Sequence, residues 1–114
     1  MTFGDIVEQL PAYVVHRGSD FDDLDLQNVV AGDLMSDVLV VEYENLLMVT
    51  SLNSEQILRT ADMVGARGVL LVNDKAPFAA VKTLAREQDI SFLSTPLSLF
   101  EACVALGRLM GPVP

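Results

Sequence analysis

From residue 46 onward the apolar positions of the chain switch regularly between two periods, and that alternation predicts strands and helices in turn. Leu46-Leu47-Met48-Val49-Thr50 is a continuous apolar run of strand length, the pattern of a strand buried on both faces. After it Ile57, Leu58, Ala61 and Val64 recur at helical spacing, with Asn53 and Gln56 as the expected capping pair and Gly65 and Gly68 closing the turn. A second buried run, 69–72, precedes Pro77, expected to start a helix with Val81, Leu84 and Ala85 inward. A third, 90–93, precedes Thr95-Pro96 and a helix to about Met110 whose apolar side reads Leu99, Phe100, Cys103, Val104 and Leu106. Uniformly apolar strands alternating with helices imply an α/β fold. The expectation is a three-layer domain with a mainly parallel sheet, helices on both faces and right-handed crossovers.

Toward the N-terminus the pattern is less regular. Thr2 is placed as the N-cap of a short helix, with Asp5 three residues on and Ile6, Val7 and Leu10 as its apolar side, ended by Pro11. A short strand-type run, 12–15, is closed by His16-Arg17-Gly18. Asp20, Asp22, Asp23 and Asp25 then crowd into one turn. That turn lacks the Gly and the closing Glu of a calcium loop, so it reads as a solvated acidic turn and not a metal site. Residues 1–110 read as one domain without repeat or linker, and 111–114, Gly-Pro-Val-Pro, as a flexible tail.

Composition narrows the setting. A chain of 114 residues can bury a core of its own without staples. The single cysteine, Cys103, excludes an internal disulfide framework and suits a reducing compartment. The first residues lack a signal-peptide pattern, and Glu101 and Arg108 interrupt the last apolar segment well short of the ~20 residues of a membrane span. A cytoplasmic protein with no membrane association is expected. Sixteen acids against seven bases give a net charge of −9, which repels a phosphate backbone and argues against a nucleic-acid partner.

In a parallel sheet three polar strand ends would converge: Thr50-Ser51 with Asn53, Asn73-Asp74-Lys75, and Ser94-Thr95. Helix N-termini at Asn53, Pro77 and Thr95 would point unpaired N–H groups the same way, which favours an anion. Two accounts of these residues stay open, a ligand site and simple helix capping. The same holds for Asp33, Ser36 and Asp37. Their spacing suits an N-cap and first turn, and as a site they would bond a sugar, a base edge or a second subunit. Chemistry of the enzymatic kind finds little footing. No phosphate-cradling Gly-Lys-Ser/Thr loop is present, His16 has no visible triad partner, Cys103 reads as a core thiol, and one His with one Cys cannot make a local zinc site. No catalytic residue, metal or cofactor is therefore assigned. A minor alternative is an enzyme using the carboxylates of Asp33, Asp37 and Asp74.

The run Gly32-Asp33-Leu34-Met35-Ser36-Asp37, the Thr-ended strand at 46–50 and Ser94-Thr95 before the last helix together resemble the DRTGG domain family, over residues 30–109. The resemblance is to its free-standing single-domain members, related to the non-catalytic N-terminal domain of HPr kinase. The signature that names the family is missing, since 25–32 reads Asp-Leu-Gln-Asn-Val-Val-Ala-Gly, without the Arg or the paired glycines. The resemblance implies a non-catalytic regulatory module that binds a small phosphorylated ligand such as an adenine nucleotide. Contacts would come from Asp33, Ser36, Asp37, Thr50, Ser51, Asn53, Asn73, Lys75 and Thr95. It also implies a homodimer, for which the 51% apolar composition is a second argument. The competing reading is a protein-interaction subunit in redox or hydrogenase-associated signalling, with no small ligand and with Tyr43 and Met35 on its docking face.

Overall fold

The computed structural model describes residues 1–111, and 112–114 of the expected tail lie outside the described residues. The elements are, in chain order, α1 Phe3–Gln9, β1 Tyr13–His16, β2 Asn28–Ala31, α2 Met35–Val38, β3 Leu46–Thr50, α3 Glu55–Val64, β4 Gly68–Leu71, α4 Ala79–Gln88, β5 Ser91–Ser94 and α5 Leu99–Met110. The three expected runs become β3, β4 and β5, the last two offset by one residue from 69–72 and 90–93, and every residue in these strands is buried. They pair in parallel in the centre of a five-stranded sheet of order β1-β5-β4-β3-β2. β2 extends the parallel set at one edge, and β1 closes the other edge antiparallel to β5.

Side-chain alternation along these strands divides the core between two helix layers. Leu46, Met48, Val69, Leu71 and Phe92 face α2, α3 and α4 through Met35, Val38, Ile57, Leu58, Ala61, Val81 and Ala85. Leu47, Val49, Leu70, Val72 and Leu93 face α1 and α5 through Phe3, Ile6, Leu10, Ala102 and Leu106. Each fully buried Leu, Ile or Phe contributes about 1.5–3 kcal/mol over exposure, so both layers are held chiefly by this burial. The expected three-layer α/β architecture is the one observed. Among the described residues no helix is long and apolar enough to cross a membrane.

α1 begins as the sequence predicts, with Thr2 Oγ1 accepting from the Asp5 N–H (3.1 Å) and the Asp5 carboxylate accepting from the Thr2 N–H (2.9 Å). Other helix starts shift. The N-cap of α3 is Ser54 and not Asn53, α4 starts at Ala79 after Phe78 and not at Pro77, and α5 is capped by Ser98 with Glu101 and not by Thr95. α2 is a single turn whose N-cap is Leu34, so Asp33 caps no helix. On α5, Phe100 and Val104 point outward, and Ala102 and Leu106 form the buried side. Met35, considered as a docking residue, lies in the core. The acidic turn is more structured than a solvated loop: Asp20 pairs with Arg67 (2.6 Å), Asp25 with the Met1 amino group (2.7 Å), and Asp22 with Arg17. β2 has no counterpart among the predicted strands, because its half-buried residues lack the continuous apolar run that marks β3 to β5.

Gly65 ends α3 in a left-handed conformation (φ 70°), as a C-terminal glycine should. Gly68 has a different task. It opens β4 directly beneath α1, where a Cβ would lie 2.4 Å from Phe3 Cε1. Gly68→Ala should therefore cost about 1–3 kcal/mol by overpacking, seen as a lower urea midpoint at unchanged slope, and Phe3→Leu in the same chain should recover part of the loss. An unchanged midpoint would mean that α1 does not press on β4 in solution.

Candidate functional site

The parallel strands β2 to β5 deliver their C-terminal ends to one edge of the sheet, and polar side chains there bind the ends to one another. The Gly32 N–H donates to the Val49 carbonyl (2.9 Å), which carries the β2–β3 ladder one residue further and sets Asp33 opposite the end of β3. Asp33 Oδ1 accepts from Thr50 Oγ1 (2.8 Å) and from the Ser51 N–H (2.7 Å), and Oδ2 accepts from Ser51 Oγ. Thr50 is fully buried, and its hydroxyl oxygen also accepts from the Leu52 N–H (3.1 Å). Lys75 reaches across from the loop after β4 and donates through Nζ to the Ser51 carbonyl. The hydroxyl of Ser94, in β5, in turn donates to the Lys75 carbonyl (2.9 Å).

Asn53 joins the starts of two helices. Its Nδ2 donates to the Ala76 carbonyl (2.9 Å), and its Oδ1 accepts from the Phe78 N–H (3.2 Å). Asn73 and Asp74 take left-handed conformations (φ 68° and 56°) and donate their N–H groups to the carbonyls of Leu97 (2.8 Å) and Thr95 (3.0 Å). Thr95 turns inward: its hydroxyl donates to the Leu10 carbonyl (2.5 Å) and the residue is fully buried. The edge thus gathers Asp33, Thr50, Ser51 and Lys75 into one hydrogen-bonded group, with Asn53 bridging beside it and Asn73 exposed next to it. Ser36 and Asp37 sit exposed on α2, and among the described residues neither side chain hydrogen-bonds to that group.

Partial burial works to raise the Asp33 carboxyl pKa. The hydrogen bonds from Ser51 and Thr50, with the nearby Lys75 charge, outweigh it and hold the group below the ordinary carboxylate range. Asp33 is therefore an anion at neutral pH. Cys103 is shifted the other way, because burial pushes its thiol up and away from the reactive thiolate.

The helix N-termini differ in availability. The first turn of α5 is closed by its own capping box, Ser98 Oγ accepting from the Glu101 N–H (3.2 Å) and Glu101 accepting from the Ser98 N–H (3.1 Å). α3 and α4 have no side-chain cap, which leaves first-turn N–H groups open to an anionic oxygen. Ser54 Oγ at the start of α3 is buried without a partner, and the Phe78 ring at the start of α4 is 64% exposed. Both residues escaped the sequence reading. Ser54 carried a signal, a Ser directly before Glu55 at a helix start. Phe78 carried none, since an aromatic residue beside Pro reads as core.

Chemically, this edge offers a carboxylate and hydroxyls suited to sugar hydroxyls, open amides suited to phosphate oxygens, and an exposed ring suited to a base. Among the described residues no cluster of three or more His, Cys, Asp or Glu could hold a metal ion. Among the described residues, surface hollows of about 280, 250 and 360 Å³ lie beside Asp20 and Arg67, beside Met1 and Leu109, and between Arg59 and Thr83; none includes a residue expected at the site from the sequence, though the last reaches the first turns of α3 and α4 at Glu55 and Ala80.

No protein-family model matches the chain, and no curated protein matches it. Among solved structures the chain is similar to the CBS and DRTGG domains of the regulatory region of a Clostridium perfringens pyrophosphatase, complexed with its activator diadenosine tetraphosphate. The TM-score is 0.75 at 15% identity, covering 92% of this chain and 45% of that one, so this chain spans less than half the length of the neighbour. The likeness supports a DRTGG-like fold.

The tie at Asp33 has a pH signature. Its folded-state pKa lies below the unfolded value of about 3.9, so its contribution to stability is complete above that value and disappears as pH falls through the folded pKa. Wild type should be more stable than Asp33→Asn at pH 6 to 7, with the gap closing below about pH 4, as followed by urea denaturation across the range. A gap that does not change with pH would remove the charged hydrogen-bonded carboxylate from the account.

Proposed function

We propose that the protein is a non-catalytic regulatory module that binds a small phosphorylated ligand of the adenine-nucleotide class at the C-terminal edge of its sheet. The observation that carries the reading is the Asp33–Thr50–Ser51–Lys75 group set beside two helix starts that have no side-chain cap. Open α/β sheets bind ligands at this edge, where strand ends and helix N-termini meet. The crystallised neighbour, whose fold is similar, carries a diadenosine nucleotide as activator, which favours a nucleotide over other anions. In this reading Asp33 and Ser51 hold sugar hydroxyls, the first turns of α3 and α4 with Lys75 take phosphate oxygens, and Phe78 stacks on the base. The acidic surface works against polyphosphates, so Lys75 is needed to offset their charge.

Thermal shift with AMP, ATP and diadenosine tetraphosphate tests this directly. A nucleotide held at about 100 times its Kd adds about 2.7 kcal/mol of stability, several degrees in Tm. Ser51→Ala and Phe78→Ala should weaken it, the latter by about 1–3 kcal/mol if the ring stacks on the base, and Lys82→Ala on the exposed side of α4 should not. No shift with any of the three nucleotides, or equal shifts in all variants, would overturn the site. ATP should stay intact over the same incubation, and turnover lost in Asp33→Asn would make the protein an enzyme.

We also propose that the chain forms a homodimer, supported by Phe100, 77% exposed on the outer side of α5 with Val104 one turn away. Light scattering at micromolar concentration should report twice the chain mass, and Phe100→Glu should halve it. A monomeric wild type counts against the dimer.

A further inference from the structure

The edges of the sheet are unequal. β1 has a register shift between Val14 and His16 and runs directly into Arg17, devices that blunt a strand edge. β2 has neither. It pairs with β3 in unbroken register from Asn28 to Ala31, contains no Pro or Lys, and ends the sheet with one side unpaired. The N–H groups of Asn28 and Gly32 turn inward to the carbonyls of Asn45 (3.3 Å) and Val49 (2.9 Å), so strand alternation turns those of Val29 and Ala31 outward. Asn28 Nδ2 donates to the Glu44 carbonyl (2.7 Å), which pins the connection between α2 and β3 against the start of this open edge.

That connection is unusually apolar for a surface segment. Leu34 is 63% exposed, Leu39 44%, Val40 79% and Tyr43 54%, around a single turn of helix anchored below by Met35 and Val38. Exposed apolar residues scattered singly are ordinary, but four within one short segment mark an interaction surface. Its charge is one-signed. Between Arg17 and Arg59 there is no basic side chain, against nine acids. Asp20, Asp22, Asp25 and Glu55 are ion-paired and Asp33 is hydrogen-bonded at the strand end. Asp37, Glu42 and Glu44, which rim the apolar segment, have no ion pair among the described residues.

We infer that the open edge of β2 and the α2–β3 connection form a docking surface for a basic protein segment that adds to the sheet as an extra strand. Its outward N–H and carbonyl groups supply strand pairing, Val40 and Tyr43 supply apolar anchorage, and the unpaired acids select Lys or Arg in the partner. A second copy of this chain would bring like charges together here, so this surface is separate from a homodimer contact. It is also independent of the nucleotide reading, since Asp33, Ser51 and Phe78 take no part.

The test uses a fluorescent peptide of about six residues, the length of a typical strand, alternating Lys with Leu. Two relatives serve as comparison, one with Glu for every Lys and one with Ser for every Leu. Anisotropy should saturate with the Lys-Leu peptide, be at least roughly tenfold weaker with either relative, and fall as salt rises from about 0.1 to 1 M and the screening length shrinks from ~10 to ~3 Å. The Val40→Glu, Tyr43→Ser double variant should lose about tenfold or more in affinity at an unchanged unfolding midpoint. Ser51→Ala should bind the peptide like wild type. The inference is overturned by absence of saturable binding, by equal binding of the double variant, or by equal binding of the Lys-Ser peptide, which would reduce the surface to charge alone. It is overturned as well if wild type is a dimer that Val40→Glu dissociates, because a second copy then occupies the edge.

Discussion

β3, β4 and β5 are apolar on both faces, and that constraint fixes most of the rest. A strand with two apolar faces must be covered on both, so the chain has to leave the sheet after each strand and return on one side or the other. α3 and α4 cover one face and α1 and α5 the other. The crossovers make the strands parallel, and parallel strands place every C-terminal end on one edge. Asp33, Thr50, Ser51, Lys75 and the starts of α3 and α4 meet there because the core is buried on two sides, before any requirement of a ligand enters.

The parts of this arrangement that were legible in the sequence are those in which one physical signal dominates. Uniform apolar runs located β3, β4 and β5, and the reciprocal Thr2–Asp5 pair located the start of α1. Where a polar residue had two possible uses, local sequence misassigned it. Asn53 and Thr95 look like helix caps, but their side chains make long-range bonds, to Ala76 and Phe78 in one case and to Leu10 in the other. Local capping and tertiary bonding compete for the same groups, and spacing alone does not decide between them. Asp33, whose spacing allows either a helix cap or a ligand group, caps no helix and joins two strand ends, a pairing that depends on β2, the strand the apolar pattern does not show. The helical apolar pattern places Phe100 and Val104 inward, though the rotation of α5 set by Ala102 and Leu106 turns them to the surface.

Charge separates the two surfaces at either side of β2. At the strand ends, hydrogen-bond donors surround the Asp33 carboxylate and Lys75 stands beside it, which favours an anion there over the outer edge, against the exposed Asp74 on the same side. Along the outer edge the acids have no counter-charge among the described residues, and a cation is favoured. β2 and its connection to β3 belong to both regions. A ligand at the proposed strand-end site and a partner at the proposed outer edge would share one short edge strand, which is a direct physical route for one occupant to bias the other.

The central claim, that a nucleotide sits where the strand ends meet the uncapped helices, is most directly tested by backbone amide NMR of the isotope-labelled chain titrated with diadenosine tetraphosphate. The account predicts saturable shifts concentrated at Asp33, Ser51, Ser54, Glu55 and Phe78 to Ala80, with the amides of α5 and of β1 unmoved. Shifts centred on another surface, or no shift at millimolar ligand, would contradict it.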